Sequence, residues 1–109
     1  MQVLHYVYLF FGGMFLMNAV PHLVSAVLGR AFQTPFASPP GEGLSSSTVN
    51  AIWGFANLVA AYILLVSLAG GQLANPLDTG VAGLGGFGIT LFSARHFGRF
   101  HGGNVPNEE

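Results

Sequence analysis

Residues 3–28 read VLHYVYLFFGGMFLMNAVPHLVSAVL, a run with no charged side chain. As a helix rising about 1.5 Å per residue it reaches roughly 39 Å, enough to cross a hydrocarbon core about 30 Å thick with some tilt. No Lys or Arg precedes it, and it is longer than the core of a signal peptide. It therefore reads as a retained first helix rather than a cleaved leader. Two further runs follow. Residues 48–69, TVNAIWGFANLVAAYILLVSLA, are preceded by Ser45, Ser46 and Ser47, whose hydroxyls can cap the free N–H groups of a first turn. Gly70 and Gly71 close that run, because glycine accepts the left-handed conformation beyond a helix end. Residues 77–97 form a shorter, glycine-rich run. Asn75 and Pro76 read as its N-cap and first helical position, and Asp78 falls in the first turn, where a negative charge suits the helix dipole.

Backbone polar groups in lipid must be satisfied within their own segment, and none of the runs shows the two-residue alternation of barrel strands. The expected fold is all-α: an integral membrane bundle of three transmembrane helices, about 3–28, 48–69 and 77–97. It makes a single membrane domain over 1–109, with a loop at 29–47 and a mobile tail at 98–109.

Composition agrees. Of 109 residues, 51% are hydrophobic and only 6% charged, against roughly 25% charged in an ordinary soluble domain. The net charge is −1. These values exclude an ordinary soluble domain, a disordered tail and a basic nucleic-acid binder. With no cysteine, a disulfide scaffold, a thiolate metal site and a cysteine nucleophile are excluded too. The three cations, Arg30, Arg95 and Arg99, all lie at one end of the expected bundle. Positive-inside bias then places the N-terminus and the 70–76 loop outside, and the 29–47 loop and C-terminus in the cytoplasm. The loop GRAFQTPFASPPGEGLSSS holds Pro35, Pro39, Pro40, Gly41 and Gly43, and is expected to be extended and irregular. Phe32 and Phe36 within it read as interfacial anchors, with partner docking as the alternative.

Polar groups within the spans carry most of the functional information, because each is expensive in lipid. Helix 1 has His5, Asn18, His22 and Ser25; helix 2 has Asn50, Trp53, Asn57 and Ser67; helix 3 has Thr90, Ser93 and His96. Asn18, His22 and Ser25 share one helix face, as do Asn50, Trp53, Gly54 and Asn57. Counted from the 29–47 loop, Asn18 and Asn57 differ in depth by only about 1.5 Å. His22 is level with Gly54, whose missing side chain leaves room for the imidazole, and Ser25 is level with Asn50. The two faces are expected to pack together. Pro21 frees the Met17 carbonyl, which Asn18, Asn57 or a water could satisfy. This seam of Asn18, His22, Asn50, Trp53 and Asn57 reads either as structural glue or as a polar pocket with His22 as ligand, proton carrier or metal ligand. On helix 3, Gly83, Gly86, Thr90 and Ser93 form a smooth stripe, so Gly83 and Gly86 join Gly54 as expected helix-packing positions.

Catalytic residues are not indicated. The serines lack an acid–base pair, and no paired carboxylates lie inside the spans. The four histidines show no H-x₃-H spacing and point to no metal or cofactor; His22 and His96, which lie toward the same side at depths differing by roughly 6 Å, are the pair considered for a bis-His haem. His96, His101, Arg95 and Arg99 read instead as a basic rim facing lipid phosphates.

The segments Asn18-Ala19-Val20-Pro21-His22, Thr34-Pro35-Phe36 and Val49-Asn50-Ala51-Ile52-Trp53-Gly54-Phe55-Ala56-Asn57 resemble a group of small bacterial inner-membrane proteins of uncharacterised function. The chain is also loosely similar to DoxX-like small membrane proteins, which usually have four spans where this one supports three. The resemblance implies a bacterial inner membrane and carries over no activity and no site. The expected role is a small non-catalytic membrane protein, surrounded by lipid and acting as a homo-oligomer or as an accessory subunit of a larger membrane complex. A small-molecule or proton-coupled carrier, and a haem- or quinone-associated redox component, are the alternatives. Nucleic acid is not an expected partner.

Overall fold

The computed structural model describes residues 2–105, in which three helices are long and apolar enough to cross a membrane. Helix α1 is Gln2–Val27, α2 is Ser47–Tyr62 and α3 is Pro76–His101. A six-residue π-helical stretch, Ile63–Leu68, continues α2. Between α1 and α2, strand β1 (Phe32–Gln33) pairs antiparallel with β2 (Leu44–Ser45), Phe32 opposite Ser45 and Gln33 opposite Leu44.

Local chemistry sets the helix ends. The Ser46 hydroxyl caps α2 by accepting from the Val49 N–H at 3.1 Å. Ser45 is otherwise engaged, its hydroxyl hydrogen-bonded to that of Thr34. Asn75 Oδ1 caps α3, accepting from Leu77 at 2.9 Å and Asp78 at 3.3 Å, with Pro76 just inside. Gly70 beyond the π-helical stretch and Gly102 beyond α3 both take positive φ, 60° and 71°, which costs an L side chain but not glycine. Pro21 does not interrupt α1.

Helix α1 is the hub. α2 and α3 each pack along it and scarcely touch one another. The α1–α3 contact is made backbone to backbone: a Cβ at Gly13 would collide with the Ala82 carbonyl, and one at Gly85 with the Phe10 carbonyl. Approach this close is what small residues allow between membrane helices, where packing rather than the hydrophobic effect drives association. On the α1–α2 side, a Cβ at Gly54 would lie 2.7 Å from Leu23 Cδ2. The space at Gly54 is thus filled by Leu23 rather than by the His22 ring. Gly86 lies against the Met17 side chain, whereas a Cβ at Gly83 would meet no described atom within 4 Å. The packing face of α3 is therefore Ala82, Gly85 and Gly86. The expected stripe through Gly83 and Gly86 is rotated away from it at Gly83.

The end of α3 and the course of the 29–47 segment also differ from the sequence reading. Helix α3 runs to His101, so 98–101 are helix rather than tail; residues 106–109 of that tail lie outside the described residues. The 29–47 segment is not an extended strap. It folds back over the bundle, with Gln33 and Thr34 buried. The interior as a whole is polar. Asn50, Asn57 and Thr34 are the largest fully buried side chains, and Val, Leu and Phe cover the outside. That is the arrangement expected of a chain whose solvent is hydrocarbon.

Candidate functional site

The seam between α1 and α2 begins with Asn18, whose Nδ2 donates to Asn57 Oδ1 at 2.9 Å. Asn57 Nδ2 donates to the Trp53 carbonyl one turn back, at 2.8 Å. Neither amide is turned to the Met17 carbonyl. Two turns nearer the 29–47 segment, Asn50 is completely buried. Its Nδ2 faces three carbonyl oxygens, those of Phe32, Ser45 and Ser46, at 3.2, 3.2 and 3.0 Å. Its Oδ1 therefore faces His22 at 2.7 Å, and the imidazole donates from Nδ1. His22 thus reaches a turn beyond its expected level with Gly54. The structure brings together all five predicted seam residues, with Trp53 6.4 Å from the His22 ring, centroid to centroid. The Trp53 Nε1 is buried with no hydrogen-bond partner among the described residues.

The seam continues into a cap. Phe32, expected at the membrane interface, turns inward between His22 (5.6 Å), Phe97 (4.8 Å) and His101, on which it stacks at 5.4 Å. Phe36 remains exposed and meets the Trp53 ring edge-on at 5.0 Å. Two α3 histidines latch the loop: His96 Nε2 donates to the Gly41 carbonyl at 2.7 Å, and His101 Nε2 donates to Gln33 Oε1 at 3.0 Å. Arg99 approaches His96 Nδ1 at 3.0 Å, which leaves the His96 proton on Nε2, facing Gly41. His96 and His101 are accordingly loop latches; the basic rim keeps Arg95 and Arg99.

A second polar contact lies at the opposite end and was absent from the predicted site. His5 on α1 meets Asp78 on α3 with Nε2 to Oδ1 at 2.9 Å, and Asp78 Oδ2 accepts the Gln72 N–H at 3.1 Å. Asp78 is only 5% exposed, so it does more than favour the helix dipole. It ties α1, α3 and the 69–75 turn together. A buried carboxylate without a partner is costly; a signal in the sequence was that Asp78 had none nearby.

Comparison with protein-family models, curated proteins and solved structures gives no match.

The chemistry must then be read from the side chains. Asn18, His22, Asn50 and Asn57 each hydrogen-bond within the chain, and a small recess of about 110 Å³ lies beside Asn18, walled by Met14, Phe15 and Ile89. Among the described residues no three His, Asp or Glu side chains cluster as a metal site would require. A larger concavity lies elsewhere: an apolar groove of about 520 Å³ whose walls are the π-helical stretch and α3, floored by Leu9, Gly13, Leu16 and Met17 of α1.

Proposed function

We propose that this chain is a small non-catalytic subunit of a bacterial inner-membrane assembly, built from copies of itself or joined to larger membrane proteins. The observation that carries the reading is the internal engagement of the seam's three amides and its imidazole. Asn18 pairs with Asn57, His22 with Asn50, and Asn50 with three backbone carbonyls, so these groups fix helix register and hold the loop. A carrier would instead need them turned toward a pathway. The outward surface supports assembly: Ile52, Phe55 and Val59 on α2, and Leu84, Phe87 and Leu91 on α3, are all at least half exposed, faces that a neighbouring helix or lipid must cover. The three arginines at one end support an orientation with the N-terminus outside and the 29–47 loop and C-terminus in the cytoplasm.

Purification in mild detergent, with the mass measured by light scattering, tests this. The expected particle exceeds one chain or carries a second protein at fixed stoichiometry. A strict monomer with nothing bound would overturn the proposal. A flux across liposomes that His22→Ala abolished would favour the carrier reading instead.

A further inference from the structure

Asn18 has one hydrogen-bonding end to spare. Its Nδ2 donates to Asn57 Oδ1 at 2.9 Å, but its Oδ1 has no hydrogen-bond partner among the described residues. The side chain is half-buried and opens onto the recess beside Met14, Phe15 and Ile89. Along the axis it lies about 5 Å from the midpoint of α1, well inside a hydrocarbon core about 30 Å thick. A free amide oxygen at that depth is costly, because lipid tails have no donor to offer it. Water does not resolve it, since a held water needs two or more polar partners and the other walls of the recess are apolar side chains. The missing donor has to come from another polypeptide.

The surroundings of Asn18 fit one such partner. Leu4, Val7, Phe11, Met14 and Asn18 follow one another at spacings of 3, 4, 3 and 4 residues. That is the a/d repeat of a two-helix seam, in which a single Asn at an a position fixes register. At about 100° per residue the five fall within one sector of α1 about 80° wide. Neither flanking element covers it. Gly12 faces the π-helical stretch, and Gly13 and Met17 face α3, while Leu4, Val7 and Phe11 are 43%, 41% and 45% exposed. One turn beyond Asn18, His22 is buried against Phe32 of the loop, and the seam ends there. We infer that a second copy of this chain packs on this sector, α1 against α1, with the two Asn18 amides hydrogen-bonded to each other. The inference rests on the reading of the chain as a membrane subunit and names the interface through which copies join. Copies inserted in the same direction present each residue at the same depth, so a two-fold axis along the membrane normal sets Asn18 against Asn18 and Phe11 against Phe11. An amide carries both a donor and an acceptor, so the pair satisfies itself. An unrelated partner would need a polar group of its own at that level.

Single cysteines in this cysteine-free chain test it. Val7→Cys and Phe11→Cys lie in the seam, and Leu16→Cys lies on the opposite side of α1, at the floor of the apolar groove. Phe55→Cys and Leu84→Cys lie on the exposed faces of α2 and α3. Each variant would be oxidised in the membranes of the expressing cell, where copies share one orientation, and the disulfide-linked dimer quantified. The expected result is abundant dimer through positions 7 and 11 and little through 16, 55 or 84. Two second changes then separate the Asn18 contact from the fold. Asn18→Leu and Asn57→Leu both remove the bond between α1 and α2 within one chain, but only Asn18→Leu takes the amide out of the seam. In the Phe11→Cys background, Asn18→Leu should lower the dimer population about three- to thirtyfold, the range of an interhelical hydrogen bond. Asn57→Leu should not lower it. Equal losses in the two, or no loss in Asn18→Leu, would overturn the inference. Dimers formed chiefly through 55 or 84, or a second protein at fixed stoichiometry in place of a second copy, would overturn it and leave the subunit reading intact. A strict monomer with nothing bound would overturn both.

Discussion

Asn50 joins more of this molecule than any other side chain. One amide satisfies the imidazole of α1, the backbone of β1 and the carbonyls leading into α2. Asn50→Leu would leave the His22 Nδ1–H without its acceptor and the Phe32 and Ser45 carbonyls without this donor, while the Ser46 carbonyl keeps the backbone N–H of residue 50; an unsatisfied buried group costs about 1–3 kcal/mol. Asn18→Ala removes a single interhelical bond, worth about 0.6–2 kcal/mol in a membrane protein. Thermal unfolding in detergent should therefore rank Asn50→Leu well below Asn18→Ala; the reverse order would mean that Asn50 does not hold the loop. The His5–Asp78 pair has a different asymmetry. His5→Leu strands a buried carboxylate with only the Gln72 N–H, whereas Asp78→Asn strands an imidazole that can stay neutral. His5→Leu should be the more destabilising of the two, and the double variant should cost less than both singles added together, because the stranded charge is gone. The Asn18–Asn57 contact was legible in the sequence, since helix rise alone matches their depths. His5 with Asp78 was not: the two are 73 positions apart, and no spacing rule reaches across two turns and a helix.

At the scale of the helices, glycine has two opposite roles on α3. At Gly85 an added methyl would drive into the Phe10 carbonyl, which cannot move without its helix. Gly85→Ala should part α1 from α3 and cost about 1–3 kcal/mol, the usual range for overpacking. At Gly80, Gly83 and Gly88 the same methyl meets open space. There alanine should be neutral or should stabilise the helix by about 0.5–1 kcal/mol through its better helix propensity. A denaturation series over the four alanine variants checks both signs at once, and a loss at Gly83 equal to that at Gly85 would restore Gly83 to the packing face. The spans and their caps were legible because they depend on local chemistry: Ser46, Asn75, Pro76 and Gly70 act on neighbours a few residues away. The rotation of α3 was not. Its glycines occur on several faces, and only the meeting with Gly13 decides which of them packs.

Across the whole molecule, the cap is where the three helices are made to agree. The loop after α1 is stitched to the start of α2 by Asn50 and to the end of α3 by His96 and His101. Its prolines and glycines predict irregular backbone, and much of it is irregular. Nothing in its own composition says that it folds back, because the groups that hold it lie outside it: Asn50 on α2, and His96 and His101 on α3, these last 55 and 68 positions beyond the loop residues they bind. The cap also explains why α3 continues past its apolar run to His101: Phe97 and His101 supply the surface on which Phe32 rests. This linkage predicts a measurable local stability. Glu42 is exposed in a turn of the cap, next to the Gly41 that His96 holds, and is therefore a sensor for a glutamate-specific protease. In the wild type, cleavage there must await local opening of the loop. The His96→Ala, His101→Ala variant removes two hydrogen bonds, each worth about 0.5–1.5 kcal/mol. Opening should then become about one to two orders of magnitude more frequent, and cleavage at Glu42 faster by that factor, if opening and closing are fast relative to cutting. The α1–α2 seam does not depend on these histidines, so cysteines placed at 18 and 57 of this cysteine-free chain should still form their disulfide in the same variant. Cysteines at 16 and 59, both on outward faces, should not. Faster cleavage with loss of the 18–57 disulfide would mean that the cap and the bundle open as one unit. Unchanged cleavage would mean that the latch carries none of the stability that its geometry assigns to it.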